Sequence, residues 1–570
     1  MTRWNRELSR SGTSCSGRRN LRLYTPDLLL DLFSSTFNQF AFRGFIIGIV
    51  VVGYNLLTMA LKNEHLRVSA LHNPLGIDSS NPEFSWTLAS SRESVLLTAW
   101  QIQVSLDAGF GTEHIAWESG KTASDKPFAA IYEGSTLSPK TPYHWRVKTW
   151  DDRDQDGSWS ETAWFETGIL AGFERQAKLI TRPTTPGKKP KDETETLCFR
   201  RFIDLPKPVT RGRLYTTAHG WYRSFINTTN VTADAQVPRW TPHHVFTEYQ
   251  TYDVTDLFHV GENVVRAVVA DGHFRGKNLY FSKHHCYGDR LGYYALLELE
   301  LEGGECLCFI TDDSWDAGFG RVIRSDPKDG ETVNLRRPEH EWLDRKCPET
   351  PYGFKPVEVL PEPMETLIAE EVERVGIIST IKPAEMWISP SCKLLVDFGQ
   401  NFTGVVRLYL NSSCESTVVL TYSEVLTKSG ELNLAYINPL GADDVVRDSI
   451  TTSGRGDWFE TPFSLRGFRY LQIDGAPADS SIDSLQIEAR FISTKLQDVS
   501  SSSCSDTRLE KLFENTLRNM YSNFQSTPMD CPTRERAGWT GDIQVFSSAA
   551  VVLEDVKNYL RRYLRCLAAE

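Results

Sequence analysis

The residues best equipped for chemistry lie close together near the end of the chain: Asp530-Cys531-Pro532-Thr533-Arg534-Glu535-Arg536-Ala537-Gly538-Trp539-Thr540-Gly541-Asp542. Three carboxylates, two arginines and a tryptophan share 13 residues, and Pro532, Gly538 and Gly541 predict a loop that doubles back on itself. This mixture suits a sugar. Carboxylates accept hydrogen bonds from hydroxyl groups and do acid/base work, arginine holds oxygen ligands, and indole stacks on the apolar face of a pyranose. On residue types alone, a solvated charged loop between two helices is the favoured reading.

Helical patterns flank the loop. Before it, Leu509, Leu512, Phe513, Leu517, Met520 and Phe524 follow helical spacing, with Ser505 or Asp506 as N-cap. After it, one helical stretch is expected over about 542–569. Everything upstream reads as β-structure. Alternation marks Gln101–Ser105 and Tyr143–Trp150, and further strands are expected at Gly212–Tyr215, Tyr294–Leu301, Val405–Leu410 and Ser416–Tyr422. A Pro-, Gly- and Lys-rich linker runs from Thr181 to Pro190. The expected organisation is a basic leader with an apolar segment over 1–62, a fibronectin III-like sandwich over 64–170, a jelly-roll-like domain over 175–350, a further β-sandwich over 365–492, and a helical region over 498–570.

The loop from Asp530 to Asp542 resembles the signature of the bacterial and fungal α-L-rhamnosidases of glycoside hydrolase family 78. Other segments resemble that family in the same order. Asn73-Pro74-Leu75-Gly76-Ile77-Asp78 with Phe84-Ser85-Trp86 is similar to its fibronectin-like module. Asp271-Gly272-His273-Phe274-Arg275-Gly276 with Tyr287-Gly288-Asp289 is similar to its jelly-roll-like domain. Val396–Gly404, Tyr422-Ser423-Glu424 and Arg466-Gly467-Phe468-Arg469-Tyr470 resemble its concanavalin-like β domain. The likeness covers about 64–570.

The resemblance implies inverting hydrolysis of terminal, non-reducing α-L-rhamnose from glycosides, in an (α/α)6 six-hairpin barrel whose mouth carries the loop. It implies Glu535 as general acid, Asp530 and Asp542 as ligands of rhamnose hydroxyls, and Arg534 and Trp539 as pocket lining. No cofactor and no metal are expected. An inverting glycosidase needs a protonated acid on the leaving oxygen and a carboxylate base that activates water on the other face. Burial, or nearby Asp530 and Asp542, favours the protonated acid, whereas Arg534 or Arg536 aimed at Glu535 opposes it. Twelve helices need on the order of 200 residues, far more than follow residue 498. The family's general base is therefore expected beyond residue 570, and residues 1–570 are expected to be a fragment with little activity. The alternatives are a non-catalytic carbohydrate-binding or scaffold fragment of the same family, and a barrel glycosidase acting on another sugar.

Composition agrees with several globular domains: 570 residues, 40% hydrophobic and 24% charged. A net charge of −12 argues against a nucleic-acid partner. A mean hydropathy of −0.35 argues against a polytopic membrane protein. Six arginines between Arg3 and Arg22 precede the uncharged run Phe45–Leu61. That run is a segment upstream of translation starting at Met59, a signal anchor at the lower edge of spanning length with the arginines cytoplasmic, or a buried strand or helix. Sequons at Asn227, Asn230, Asn401 and Asn411 permit secretion without requiring it. The 11 cysteines include no CxxC pair and read mostly as buried apolar residues or free thiols. His284-His285-Cys286 lacks a second ligand pair at metal spacing. Asp443-Asp444 and Arg447-Asp448 read as solvated, and Asp271 with Asn278 as a turn or a sugar or calcium ligand pair.

Overall fold

In the strand Pro142–Asp151, Tyr143, Trp145, Val147, Thr149 and Asp151 are buried and the intervening residues are not, the period-two signature of a sheet with one covered face. The computed structural model describes residues 61–570, apart from 154–156, 171–176, 279–282, 338, 346–351, 362–365, 411–414, 438–445 and 476–484. Ala60–Ala89 and Ser94–Glu570 form one compact unit; of the other, only the loop Ser90–Glu93 is described. Nearly all of the leader, with Phe45–Ala60, lies outside the described residues, as do Asp443 and Asp444. Among the described residues no helix is long and apolar enough to cross a membrane.

The chain is multidomain and mostly β. An immunoglobulin-like sandwich comes first. One sheet orders Lys62–Val68, Glu83–Ala89 and Ala130–Ile131. The other orders Leu75–Ile77, Ala163–Thr167, Pro142–Asp151, Leu97–Ser105 and Ile115–Glu118. Phe84, Trp86, Ile102, Trp145 and Phe165 fill the space between them.

A second pair of sheets follows. Val209–His219 and Gly292–Leu301 form the centre of one, and Leu197–Leu205 and Gly261–Ala270 the centre of the other. Leu214, Val265, Ala267, Tyr293 and Leu297 interdigitate between the two faces. A ten-stranded sheet among the described residues is organised around Leu394–Leu410, Arg466–Asp474 and Ile487–Thr494. The hairpin Val322–Asp326 and Gly330–Asn334 joins its edge through parallel pairing with Arg447–Thr451. Its core includes Phe402, Phe468 and Phe491.

The helical region is short. Helix α1 (Thr507–Asn523) is capped by Asp506, whose side chain accepts from the Arg508 N–H. Downstream, the expected single helix is two: α2 (Thr540–Leu553) and α3 (Lys557–Ala569). The break is tertiary in origin, because Glu554–Asp555 leaves the helix to pair with Gln497–Asp498. The carboxy-terminal end of α1 seats on the ten-stranded sheet, where Thr403 donates to the Ser522 carbonyl (2.6 Å) and Gln525 to the Ile492 carbonyl (2.8 Å). Helix α3 is fastened by Arg562. Its buried guanidinium reaches both Glu248 oxygens (2.7 and 2.9 Å) and the carbonyls of Ser526 and Trp240 (2.9 Å each).

One further reading from the sequence needs correction. Arg447 and Asp448 stand in a strand, and Asp448 is fully buried. It pairs with Arg466 at 2.7 Å and accepts from the Tyr422 hydroxyl at 2.5 Å. A charged pair in sequence can face inward when a distant arginine supplies the counter-charge. The described cysteines agree with their reading: Cys198 is buried, and Cys306, Cys308, Cys392 and Cys504 are exposed free thiols. Asp271 and Asn278 are turned inward, Asp271 onto Arg275 (2.7 Å) and Asn278 onto His273 (2.9 Å). Among the described residues no group of three or more His, Cys, Asp or Glu could hold a metal ion.

Candidate active site

The loop from Phe524 to Trp539 links α1 to α2. It closes on itself through backbone pairing of the Asp530 N–H with the Ala537 carbonyl (3.0 Å). Asp530 reinforces the closure: Oδ1 accepts from the Ala537 N–H (3.1 Å) and Oδ2 from the Cys531 thiol (2.9 Å). Burial, and then that carboxylate, push the Cys531 thiol up from its ordinary value.

Glu535 projects from the turn with two donors on it. Arg534 Nη2 donates to Oε1 (2.8 Å) and Trp539 Nε1 to Oε2 (2.9 Å). The arginine aimed at Glu535 is therefore Arg534. Arg536 turns inward, its backbone at φ +54°, and donates to the carbonyls of Pro327 and of Leu465 (3.1 Å). Burial, and then repulsion from Arg466, push its guanidinium down to about 9. The Glu535 side chain is mostly covered at 16% exposure, whereas Trp539 is half exposed. Asp542 stands exposed in the first turn of α2, where a carboxylate complements the helix dipole.

Beside the loop, α1 and α2 enclose a groove of about 480 Å³. Asp530 and Asp542 bring carboxylates to it, and Met520, Phe524, Met529 and Phe546 give it an apolar wall. The five expected site residues thus divide into two sets. Arg534, Glu535 and Trp539 are in direct contact, and Asp530 and Asp542 meet at the groove.

The ten-stranded sheet and α3 hold this loop from below and from the side. Thr533 Oγ1 donates to Glu424 (2.8 Å), and the loop comes so close to Gly467 that a Cβ there would lie 2.6 Å from Thr533 Oγ1 and 2.7 Å from the Pro532 ring. Tyr563 of α3 donates its hydroxyl to the Gly538 carbonyl (2.8 Å). Glu424 and Gly467 belong to segments that the sequence marked only by resemblance; the fold brings them under the loop. Tyr563 and the Arg536 anchors carried no sequence signal, because their partners are backbone carbonyls.

Four family models match the chain in order: an N-terminal immunoglobulin domain of Rha78A-like proteins over 63–171, the α-L-rhamnosidase N-terminal domain over 207–379, the bacterial α-L-rhamnosidase concanavalin-like domain over 389–493, and the bacterial α-L-rhamnosidase six-hairpin glycosidase domain over 497–570. The chain belongs to the α-L-rhamnosidase-like proteins of glycoside hydrolase family 78. A relative from Formosa agariphila named α-L-rhamnosidase is 27% identical over 536 residues, which cover 89% of this chain and 56% of that protein. The solved α-L-rhamnosidase of Aspergillus terreus superposes with a TM-score of 0.80 at 30% identity, covering 89% of this chain and 57% of that one. That of Dictyoglumus thermophilum gives 0.79 at 27% identity, with 89% and 57% covered. The chain thus spans little more than half the length of these relatives.

Proposed function

We propose that this chain supplies the acid half of an inverting α-L-rhamnosidase site, with Glu535 protonating the departing glycosidic oxygen of a terminal, non-reducing α-L-rhamnoside. One observation carries the reading. Glu535 is held by Trp539 and Arg534 on the same closed turn that brings Asp530 to a groove shared with Asp542. Asp530 and Asp542 would accept from rhamnose hydroxyls. The apolar wall of the groove suits the methyl group of a 6-deoxy sugar, and Trp539 offers an aromatic face to the ring.

Both Glu535 oxygens accept hydrogen bonds from protein donors, and an acid must instead present its own proton to the leaving oxygen. Arg534, 41% exposed, is the donor free to swing away when substrate arrives, while Trp539 keeps the carboxyl oriented. The partner base is assigned to a position after residue 570, in the portion of the relatives that this chain does not span. On this reading, residues 1–570 turn over an aryl α-L-rhamnoside little or not at all.

A crystal of the protein soaked with L-rhamnose tests the assignment. The anomeric oxygen is expected within about 2.6–3.2 Å of Glu535, with hydroxyls on Asp530 and Asp542. A sugar lodged elsewhere, or Glu535 turned away from the anomeric oxygen, overturns it.

A further inference from the structure

The strand Cys306–Ile310 carries two thiols that the Glu535 reading does not use. Among the described residues it pairs with Gly292–Leu301 and with no other strand, so it is an edge. The register runs without a break, with Cys306 opposite Glu300 and Cys308 opposite Glu298. Residues two apart in a regular strand point to one face. Both sulfurs therefore leave the same side of a sheet edge, and both cysteines are exposed free thiols.

The spacing decides what two such thiols can hold. Their α-carbons stand about 6.8 Å apart along the strand. Parallel side chains keep the β-carbons similarly separated, beyond the roughly 3.5–4.5 Å that a disulfide requires. A metal–thiolate bond is about 2.3 Å long, so a linear two-coordinate ion bridges sulfurs about 4.6 Å apart. Rotation about the two Cα–Cβ bonds brings the sulfurs to that separation without moving the backbone. The donor set is also chemically narrow. Glu298 is ion-paired with Lys140, and among the described residues no three His, Cys, Asp or Glu side chains are grouped to hold an ion. Zinc takes four ligands, and calcium and magnesium take oxygen, so none of them is served. Two thiolates suit a soft ion, Cu(I) above all. Burial, and then Glu298, push the Cys308 thiol up from its ordinary value. It is therefore a poor nucleophile until an ion displaces its proton.

We infer that Cys306 and Cys308 form a two-coordinate thiolate site for a soft monovalent metal ion of the Cu(I) class. Binding forms two metal–sulfur bonds and releases the two thiol protons to solvent; no electron is transferred. The inference stands whether or not Glu535 is the acid.

Anaerobic titration of the reduced, full chain against the Cu(I)–bicinchoninate complex tests it. The chain is expected to withdraw one equivalent of Cu(I), and an excess of Zn(II) to leave that ion in place. Cys306→Ser and Cys308→Ser should each weaken uptake at least about a hundredfold, since loss of an outer supporting partner alone costs about 10–100-fold. Cys392→Ser and Cys504→Ser, at exposed thiols far from the strand in sequence, should leave uptake unchanged. In the parent chain, one equivalent of Cu(I) should shield Cys306 and Cys308 together from iodoacetamide, read on their shared peptide by mass spectrometry. That readout needs no variant to fold. Cu(I) left with the chelator, uptake undiminished in either strand variant, or alkylation of the pair undiminished by the ion overturns the inference.

Discussion

Replacing Arg562 by Met tests whether the β domains hold the helical region in place. Glu248 is 1% exposed, and burial pushes its carboxyl up from the ordinary range even with Arg562 opposing it. Two of its contacts are the bonds from Arg562 at 2.7 and 2.9 Å. Removing the arginine leaves a buried carboxylate without its counter-charge, at a cost of about 3–5 kcal/mol. The Ser526 and Trp240 carbonyls each lose a donor worth about 1 kcal/mol. Adding Glu248→Gln removes the stranded charge and recovers part of the loss, so the double variant should be about 2 kcal/mol less destabilised than the sum of the single effects. A chain of several domains has no single unfolding free energy, so the readout is hydrogen exchange of the amides in Lys557–Ala569. A 3 kcal/mol loss raises exchange through local opening by about a hundredfold. The Gly538 carbonyl should lose its Tyr563 contact as α3 loosens. Exchange within a few-fold of the parent, or additive single and double variants, would refute the view that this ion pair clamps α3.

In a form of the protein extended to the length of its relatives, Glu535→Gln should lower kcat on α-L-rhamnosides by roughly a hundred- to ten-thousand-fold while L-rhamnose binding persists; kinetics near the parent's would exclude the acid role. Gly467→Ala should push the loop off the sheet, since the new Cβ meets Thr533 and Pro532 at 2.6 and 2.7 Å. The expected signature is weakened L-rhamnose binding by calorimetry with a thermal midpoint that moves by only a few degrees. Glu331 gives a pH test. Burial, and then repulsion from Asp448, push its carboxyl up to about 7 from 4.5. The folded state therefore binds more protons than the unfolded one between these values, and this group's contribution to stability falls as pH rises from about 4.5 through 7. Glu331→Gln should flatten the decline of the thermal midpoint across that window, and an unchanged slope would show that another group titrates there.

The order β, β, β, helix was legible because each signal is local. Alternation reports a half-covered strand, and α1 announced itself through its 3.6-residue apolar spacing and the cap at Asp506. The chemical character of the loop was legible for a similar reason: Asp530, Arg534, Glu535, Trp539 and Asp542 are close in sequence, so a tight turn must keep them close in space.

What remained hidden depends on partners far along the chain. The division between α2 and α3 follows from Glu554–Asp555 pairing with Gln497–Asp498, a contact that no helical periodicity records. Asp448 looked solvated until Arg466 and Tyr422 enclosed it. The orientation of the two loop arginines was also undecidable from spacing. Arg534 meets Glu535, and Arg536 is drawn inward because the carbonyls of Pro327 and Leu465 lie there. Sequence by itself determined which chemically capable residues gather in one short loop, since residue type and short-range geometry are encoded locally. Only the tertiary structure decided which charge faces which, because burial and counter-charge are properties of the packed neighbours.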